Sequence, residues 1–520
     1  MGEDGRKIPR TMASQHPDHA SAPPWSGDPL IAGEDEVVEV YWAYARYGTE
    51  EVMWDAEGKD IDPYVVRKLL TSYPDFFREK VLGRDVFLTF RLPNPSIEPE
   101  RKLFLETLQS IPRHNDVARV FYGPSAGPAV FEVILPFTTS HVELVRVRES
   151  YRKGVVEPLK APIDYRGTRL IDWVGELEPE EVEVIPLVED IDSFLRLEEI
   201  LVKYIEVVGP KYLRVFLARS DPAMNYGLLT SVLMAKLGLY ICWSVAESTG
   251  VPVYPIVGTG SLPFRGHNTP ERVDRFVEEY RGAYTVTVQS AFRYDWDFHR
   301  ARAGVAELNS KLPGGKPVHV DAELFAAMTS KLVPKYQVMV EAAADAINFV
   351  ASFVPPRRMR RQHVGLFGYS RRVAGKRLPR AIPFTAALYS LGTPPEFMGL
   401  RAVRDLKEEE FDLLRTAYSH LDDDLGCAGR RVSMEAINLI LEQKEDAKRV
   451  LGPEFVESFI PSYLEDLATA EEVLGLKVGP RSLSDRRYLN SVENAVISLL
   501  SGEDPTEEIT RAAVLRRSLG

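Results

Sequence analysis

Two acidic residues, Glu189 and Asp221, follow closely on short apolar runs, Ile-Pro-Leu-Val before Glu189 and Val-Phe-Leu-Ala before Arg219-Ser-Asp221. Arg91 closes the run Phe-Leu-Thr-Phe, Gln289 closes Val-Thr-Val with Arg293 just behind it, and Arg265 lies in the turn-rich stretch that opens after Tyr254-Pro-Ile-Val. One acid in such a place is most simply a helix cap. Charged or amide groups after five separate runs point instead to one shared rim. Paired carboxylates offer the all-oxygen ligands that suit Mg²⁺ or Mn²⁺, with positions left for water and substrate. Arginine forks match phosphate and carboxylate oxygens. The combination describes a site for a phosphorylated carboxylic acid better than one for a sugar or a peptide. Acid/base cleavage of a glycoside would use the two acids but would not need so many arginines. No closely spaced Cys/His zinc pattern occurs, and Gly258-Thr-Gly260 is too little to make a nucleotide loop.

The elements that must carry these residues are legible from periodicity. β-rich runs fall at residues 51–55, 85–91, 129–135, 182–188, 213–218, 251–257 and 284–289, with a weaker eighth candidate at 381–388. Helical stretches separate them, which predicts parallel β/α architecture closed into an α/β (β/α)8 TIM-type barrel, with many additional helices packed around it. In such a barrel, reactive groups gather just past the C-terminal ends of the strands. Asp192-Ser193 and Thr269-Pro270 supply helix starts. Pro334 predicts a kink or split in the long helical stretch 322–354. The chain reads as a single barrel domain over 1–520. It has an N-terminal motif segment (1–30), a barrel core (about 45–395) and a C-terminal helical region (about 396–520). The basic stretch 355–361 fits a solvated connection as well as a site.

Composition narrows the class. Among 520 residues, 64 basic against 76 acidic side chains leave a net charge of −12. Nucleic acid is a poor partner for that balance, although an acidic shell can hold a basic cleft. Two cysteines, Cys242 and Cys427, exclude a disulfide framework and suit a reducing, cytoplasmic setting. The N-terminus lacks the apolar core of a signal peptide. The most apolar stretch, 228–246, contains Lys236 and follows a strand-like run, so a buried crossover helix fits it better than a membrane span.

In order along the chain, the motifs resemble those of phosphoenolpyruvate carboxylase in its short archaeal form. Thr11-Met-Ala-Ser-Gln-His16-Pro-Asp18 is similar to the motif that carries the family's catalytic histidine. Pro186-Leu-Val-Glu189 and Arg219-Ser-Asp221 resemble its two metal-carboxylate motifs. Gly260-Ser-Leu-Pro-Phe-Arg265-Gly is similar to part of its glycine-rich block. Gly368-Tyr-Ser-Arg371 and Arg380-Ala-Ile-Pro-Phe384 resemble the motifs that flank a mobile loop in that family, and Arg91 falls where the family has a substrate arginine. There are departures. The histidine and first arginine of the glycine-rich block are missing, His267 being displaced from that place, and Met224 stands where a lysine is expected. The chain ends Arg517-Ser-Leu-Gly520 instead of Arg-Asn-Thr-Gly, which speaks against the family's inhibition by aspartate or malate.

The resemblance implies carboxylation of phosphoenolpyruvate by bicarbonate to oxaloacetate and phosphate, through carboxyphosphate and a metal-stabilised enolate. It implies Mg²⁺ or Mn²⁺ on Glu189 and Asp221, and His16 as proton acceptor, a task suited to a group titrating near neutrality. Arg265, Arg371 and Arg380 would serve catalysis, and Arg91, Gln289 and Arg293 would bind substrate. Residues 373–378 would form a lid, in a homotetramer. Each residue also has a plainer reading. His16 could be structural, Arg91 a rim ion-pair partner, Gln289 and Arg293 strand-end caps, and Arg371 and Arg380 solvated surface. The alternative enzyme is another metal-dependent phosphoenolpyruvate or pyruvate barrel, a phosphotransferase or aldol-type lyase. A barrel-derived binding protein is the alternative outside catalysis.

Overall fold

Strands β1 (Thr11–Ala13), β2 (Glu51–Asp55), β3 (Phe87–Arg91), β4 (Glu132–Leu135), β5 (Glu183–Val188), β6 (Leu213–Ala218), β7 (Val253–Gly258) and β8 (Thr285–Val288) pair in chain order, all parallel. β1 also pairs with β8, Met12 lying opposite Thr287, and this closes the barrel. The computed structural model describes residues 7–124, 126–359 and 375–520, with the backbone alone of 371–373.

The eighth strand is not where the sequence placed it. Residues 381–388 form part of the helix Ala381–Ser390, and the strand that completes the barrel is β1, inside the N-terminal motif segment. The run 381–388 is apolar on every side because the helix is buried on nearly every side, so its composition matches a buried strand. Pro383 sits in the first helical turn, where no backbone donor is needed. The helix Ala322–Ala351 runs unbroken through Pro334, so the expected split does not occur.

Side chains alternate across the barrel wall with a period of two. In β2, Val52 and Trp54 join the large core beneath the helices, whereas Met53 belongs to a separate apolar layer inside the barrel, with Met12, Ile134, Ile185, Leu187, Phe216 and Ile256. The alternate positions below that layer are polar. Arg214, buried completely, donates to Glu51 at 2.6 Å and to Glu132 at 2.8 Å. Desolvating that arginine is tolerable because both carboxylates and Thr285 surround it. The same parity sends Asp55, Arg91 and Gln289 inward at the opposite, C-terminal end. That end holds the site.

The helix Leu228–Thr249 is long and apolar enough to cross a membrane, yet most of it is buried inside the protein. Residues after Asp405 build further helices, which pack on Ala322–Ala351 and on Ala381–Ser390.

Candidate active site

A cavity of about 450 Å³ opens at the C-terminal ends of the strands. His16, Arg91, Glu189, Asp221, Arg265, Gln289 and Arg380 all line it. Glu189 follows β5 directly. Asp221 lies in the first turn of the helix Ser220–Tyr226, after β6. Because β5 and β6 are neighbours in register, the two carboxylates belong to adjacent strand ends. The donor set is oxygen only. Among the described residues no group of three or more His, Cys, Asp and Glu gathers as a cage. A pair of carboxylates at an open cavity suits a hard cation that keeps water and substrate among its ligands, so the residues present fit Mg²⁺ or Mn²⁺.

His16 reaches the cavity from the segment after β1. Ser14 Oγ lies 2.9 Å from its Nδ1. Ser290 Oγ donates to the His16 carbonyl at 2.8 Å, and Asp18 Oδ1 accepts from the Ala291 amide at 2.7 Å, so the segment is tied to the start of the helix Ser290–Tyr294. Burial pushes the His16 imidazole down to about 3, with Arg91, Arg265 and Arg380 adding to the effect and Asp55 opposing it. The expectation of titration near neutrality is therefore replaced. This imidazole is neutral, with a ring lone pair, throughout the physiological range.

Arg91 is held on both edges. Asp55 accepts from Nε at 2.8 Å and Nη2 at 2.5 Å, and Glu57 lies 2.9 Å from Nη1. Arg265 is almost fully enclosed. Its Nη2 donates to Gln289 Oε1 at 2.6 Å, and its Nη1 donates to the Gly520 carbonyl oxygen at 2.6 Å and, at 3.3 Å, to Asp18. Gln289 thus lines the cavity and also orients Arg265. Arg380 precedes the helix Ala381–Ser390, and its buried Nη1 has no hydrogen-bond partner among the described residues.

One expected residue falls elsewhere, and another is described only by its backbone. Arg293 does not line the cavity; its Nη2 donates to the Ser14 carbonyl at 2.9 Å and to Glu39 at 3.0 Å, and so braces the His16 segment. Arg371 has its backbone in β9 (Arg371–Val373), which pairs antiparallel with β10 (Lys376–Leu378), but its side chain and the preceding Gly368-Tyr-Ser lie outside the described residues.

Sequence reasoning missed other members. Arg357 and Arg358 line the cavity and are buried, so this part of the basic stretch is no solvated connection. Arg357 donates to the His19 and Ala20 carbonyls at 3.1 and 3.0 Å, and Arg358 pairs with Glu39 at 2.7 Å and Glu36 at 3.1 Å. Buried acids far away in the chain decide that placement, and only Glu36 and Glu39 inside an otherwise apolar helical face hinted at it. Leu519 lines the cavity as well, and its amide donates to the Asp18 carbonyl at 2.7 Å. His267 lies on the far side of the loop that bears Arg265 and lines a different cavity.

The closed parallel barrel, with acids and arginines converging at its strand ends, defines a β/α-barrel enzyme. The sequence profile of the family described as phosphoenolpyruvate carboxylase matches residues 8–520. The chain is 43% identical to the phosphoenolpyruvate carboxylase of Caldivirga maquilingensis over 526 aligned positions, covering 99% of this chain and 100% of that protein. It is 41% identical to the enzyme of the same name from Metallosphaera sedula and 40% identical to that from Methanospirillum hungatei, each over 99% of this chain and the full length of the relative. The chain belongs to the phosphoenolpyruvate carboxylase family, in its short archaeal form.

Proposed function

We propose that this enzyme joins phosphoenolpyruvate and bicarbonate into oxaloacetate and phosphate at the barrel mouth. The observation that supports the reading is the convergence of His16, Glu189, Asp221, Arg91, Arg265 and Arg380 on one cavity from widely separated segments. Bicarbonate oxygen attacks phosphorus and the bond from phosphorus to the enol oxygen breaks, which leaves carboxyphosphate and the enolate of pyruvate. Carboxyphosphate loses its proton and splits into carbon dioxide and phosphate, and the enolate carbon captures the carbon dioxide.

Neutral His16 accepts the carboxyphosphate proton and returns it to phosphate. Arg265 and Arg380 hold the phosphate oxygens, while Arg91, fixed by Asp55 and Glu57, holds the substrate's phosphate or carboxylate. Glu189 and Asp221 would hold Mg²⁺ or Mn²⁺, which supplies Lewis-acid stabilisation of negative charge on phosphate and enol oxygens. Gln289 sets the plane of Arg265, and Arg293 braces the His16 segment. The hairpin of β9 and β10 rests on the helix Ala322–Ala351, with Asn348 donating to the Arg377 carbonyl at 2.9 Å, and we assign residues 373–378 to a lid that shields the intermediates, with Arg371 beside them. The same reading makes the chain a single barrel domain acting as a cytoplasmic homotetramer.

The test couples oxaloacetate to malate formation in the presence of protein, Mg²⁺, phosphoenolpyruvate and bicarbonate. A bicarbonate-dependent signal is expected, lost with a chelator and nearly lost in Asp221→Asn. Folded protein without that signal overturns the reading.

A further inference from the structure

Behind the loop that carries Arg265 lies a second cavity of about 930 Å³. The loop is stiffened by its own backbone: the Gly260 amide donates to Arg265 at 2.7 Å, His267 to Leu262 at 3.0 Å and Asn268 to Gly260 at 3.0 Å. Arg265 faces the active-site cavity, whereas Ser261, Pro263 and His267 face the second. One short loop is therefore the wall between the two.

His267 has φ of 58°, a conformation that a non-glycine residue keeps only when its surroundings impose it. Here the side chain supplies the reason. Its Nδ1 lies 2.5 Å from Asp424 Oδ1, and Asp424 Oδ2 accepts from the Tyr418 hydroxyl at 2.8 Å. Cys427 lines the same cavity as this ring, and the ring acts electrostatically on its thiol. Asp424 and Cys427 are three residues apart on the helix Leu421–Gly429, so they share a face. An orienting acid, an imidazole and a partly exposed thiol thus gather at one cavity wall, the group types that activate a nucleophile. Arg272 lies 3.5 Å from Asp424, and Arg431 and Glu396 also act on the cluster.

Burial disfavours charge on His267, but Asp424 and Cys427 bring it up to about 9. Burial likewise opposes the Cys427 thiolate, yet His267, with Arg431 and Arg272, leaves the thiol below its ordinary range. Cys242 is the opposite case, fully buried and pushed far up. The cavity wall carries six arginines against three carboxylates. Two of its buried atoms, Ser261 Oγ and Arg516 Nη1, have no hydrogen-bond partner among the described residues. Nothing in the carboxylation chemistry uses this cluster.

We propose that Cys427 is a modification site that takes an anionic small-molecule disulfide and forms a mixed disulfide with it inside the arginine-walled cavity. The Cys427 sulfur attacks one sulfur of the reagent, the reagent's S–S bond breaks and its other half leaves as a thiolate with the electron pair. Cys427 reacts as the thiolate, its proton having gone to solvent; its sulfur is oxidised by one formal unit and the leaving sulfur is reduced by one, so no further oxidant is needed. The adduct draws Cys427 away from His267, so the loop bearing Arg265 loses a support and carboxylation slows. Only this last consequence rests on the proposed function.

The probe is 5,5′-dithiobis(2-nitrobenzoate) added to the native enzyme at neutral pH, read by absorbance of the released thiolate. We expect one equivalent per chain, released at least about tenfold faster than free glutathione reacts. Dicationic cystamine, scaled in the same way to glutathione, should show at least about tenfold less acceleration. Cys427→Ser should abolish release and keep carboxylase turnover. His267→Asn, which tolerates the same backbone, should slow release at least about tenfold, while the denatured His267→Asn and parent chains react alike. A reaction no faster than glutathione, no preference for the anionic reagent, or fast release from Cys427→Ser overturns the site. Carboxylase turnover should fall in the adduct and return with dithiothreitol; unchanged turnover overturns the link to the loop and leaves the thiol result standing by itself.

Discussion

Asp55 and Arg91 are register partners on neighbouring parallel strands, and the carboxylate of one grips the guanidinium of the other by two hydrogen bonds of 2.8 and 2.5 Å. The pair is buried, so each charge depends on the other for its solvation. The consequence for chemistry is rigidity. An arginine fixed by Asp55 along one edge and by Glu57 at Nη1 presents its remaining donors in one direction only.

Asp55→Asn keeps the size of the side chain and removes its charge. Glu57 remains beside Arg91 Nη1 at 2.9 Å, so the fold should survive with a lowered melting temperature. The guanidinium should lose its fixed orientation, and kcat/KM for phosphoenolpyruvate should fall by about 10- to 100-fold. Steady-state kinetics on protein with a cooperative melt measures this. Parental kcat/KM would reduce Arg91 to a rim ion-pair partner.

The same pair shows what the sequence makes legible. Arg91 was readable because it closes the run Phe-Leu-Thr-Phe at the C-terminal end of a strand. Asp55 closed a run that was also readable, but its pairing with Arg91 depends on strand register, which one sequence does not display. β1 escaped because Thr-Met-Ala is three residues long, shorter than any periodicity can register, and its identity as a strand comes from the ladders on both sides. The helix at Ala381 was misread because uniform burial erases the helical period. Arg357 and Arg358 stood undecided between a solvated connection and a site, since basic runs are usually solvated, and their burial is compensated by carboxylates and carbonyls more than 300 positions away in the chain. Glu189 and Asp221 were the easiest to find, because the barrel rule alone puts residues after β5 and β6 on the rim.

Buried titratable groups act on stability in two opposing directions. His16, His19 and His114 are each driven down to about 3 by burial, so between about 3 and the unfolded value of 6.5 the unfolded chain binds protons that the folded one refuses. Their contribution therefore costs stability as pH falls through 6.5. Asp295 and Glu396 are pushed up to about 7 and Asp466 to about 6, again by burial, and these bind protons in the folded state, which favours folding on acidification. His114→Gln removes one member of the first set, whose ring packs on Phe90 and does not line the active-site cavity. Between about pH 5 and 6.5 the variant should gain stability relative to the parent on acidification, with a slope of about one proton. Urea midpoints at several pH values measure it; parallel curves would mean that His114 titrates normally.

Gly260 offers a way to move Arg265 without changing it. A Cβ built there lies 2.9 Å from Arg265 Cζ and Nη1 and 3.1 Å from Gln289 Oε1. Its φ is not in the left-handed region, so alanine fits the backbone, and stiffening the unfolded chain offsets some of the crowding, by about 0.4–1 kcal/mol. The guanidinium is the group that must give, and it is held at 2.6 Å by Gln289 and at 2.6 Å by the Gly520 carbonyl. Gly260→Ala should therefore melt close to the parent while kcat falls by about 10- to 100-fold, because a shift of a few tenths of an ångström misplaces a phosphate-binding fork. Gly266→Ala is the contrasting change: φ of 114° and a Cβ 2.7 Å from Thr259 Cγ2 strain the backbone itself, so melting temperature and kcat should drop together. Melting and kcat measured on both variants separate the two effects. A Gly260→Ala enzyme with parental kcat would show that Arg265 stabilises the loop and not the reaction.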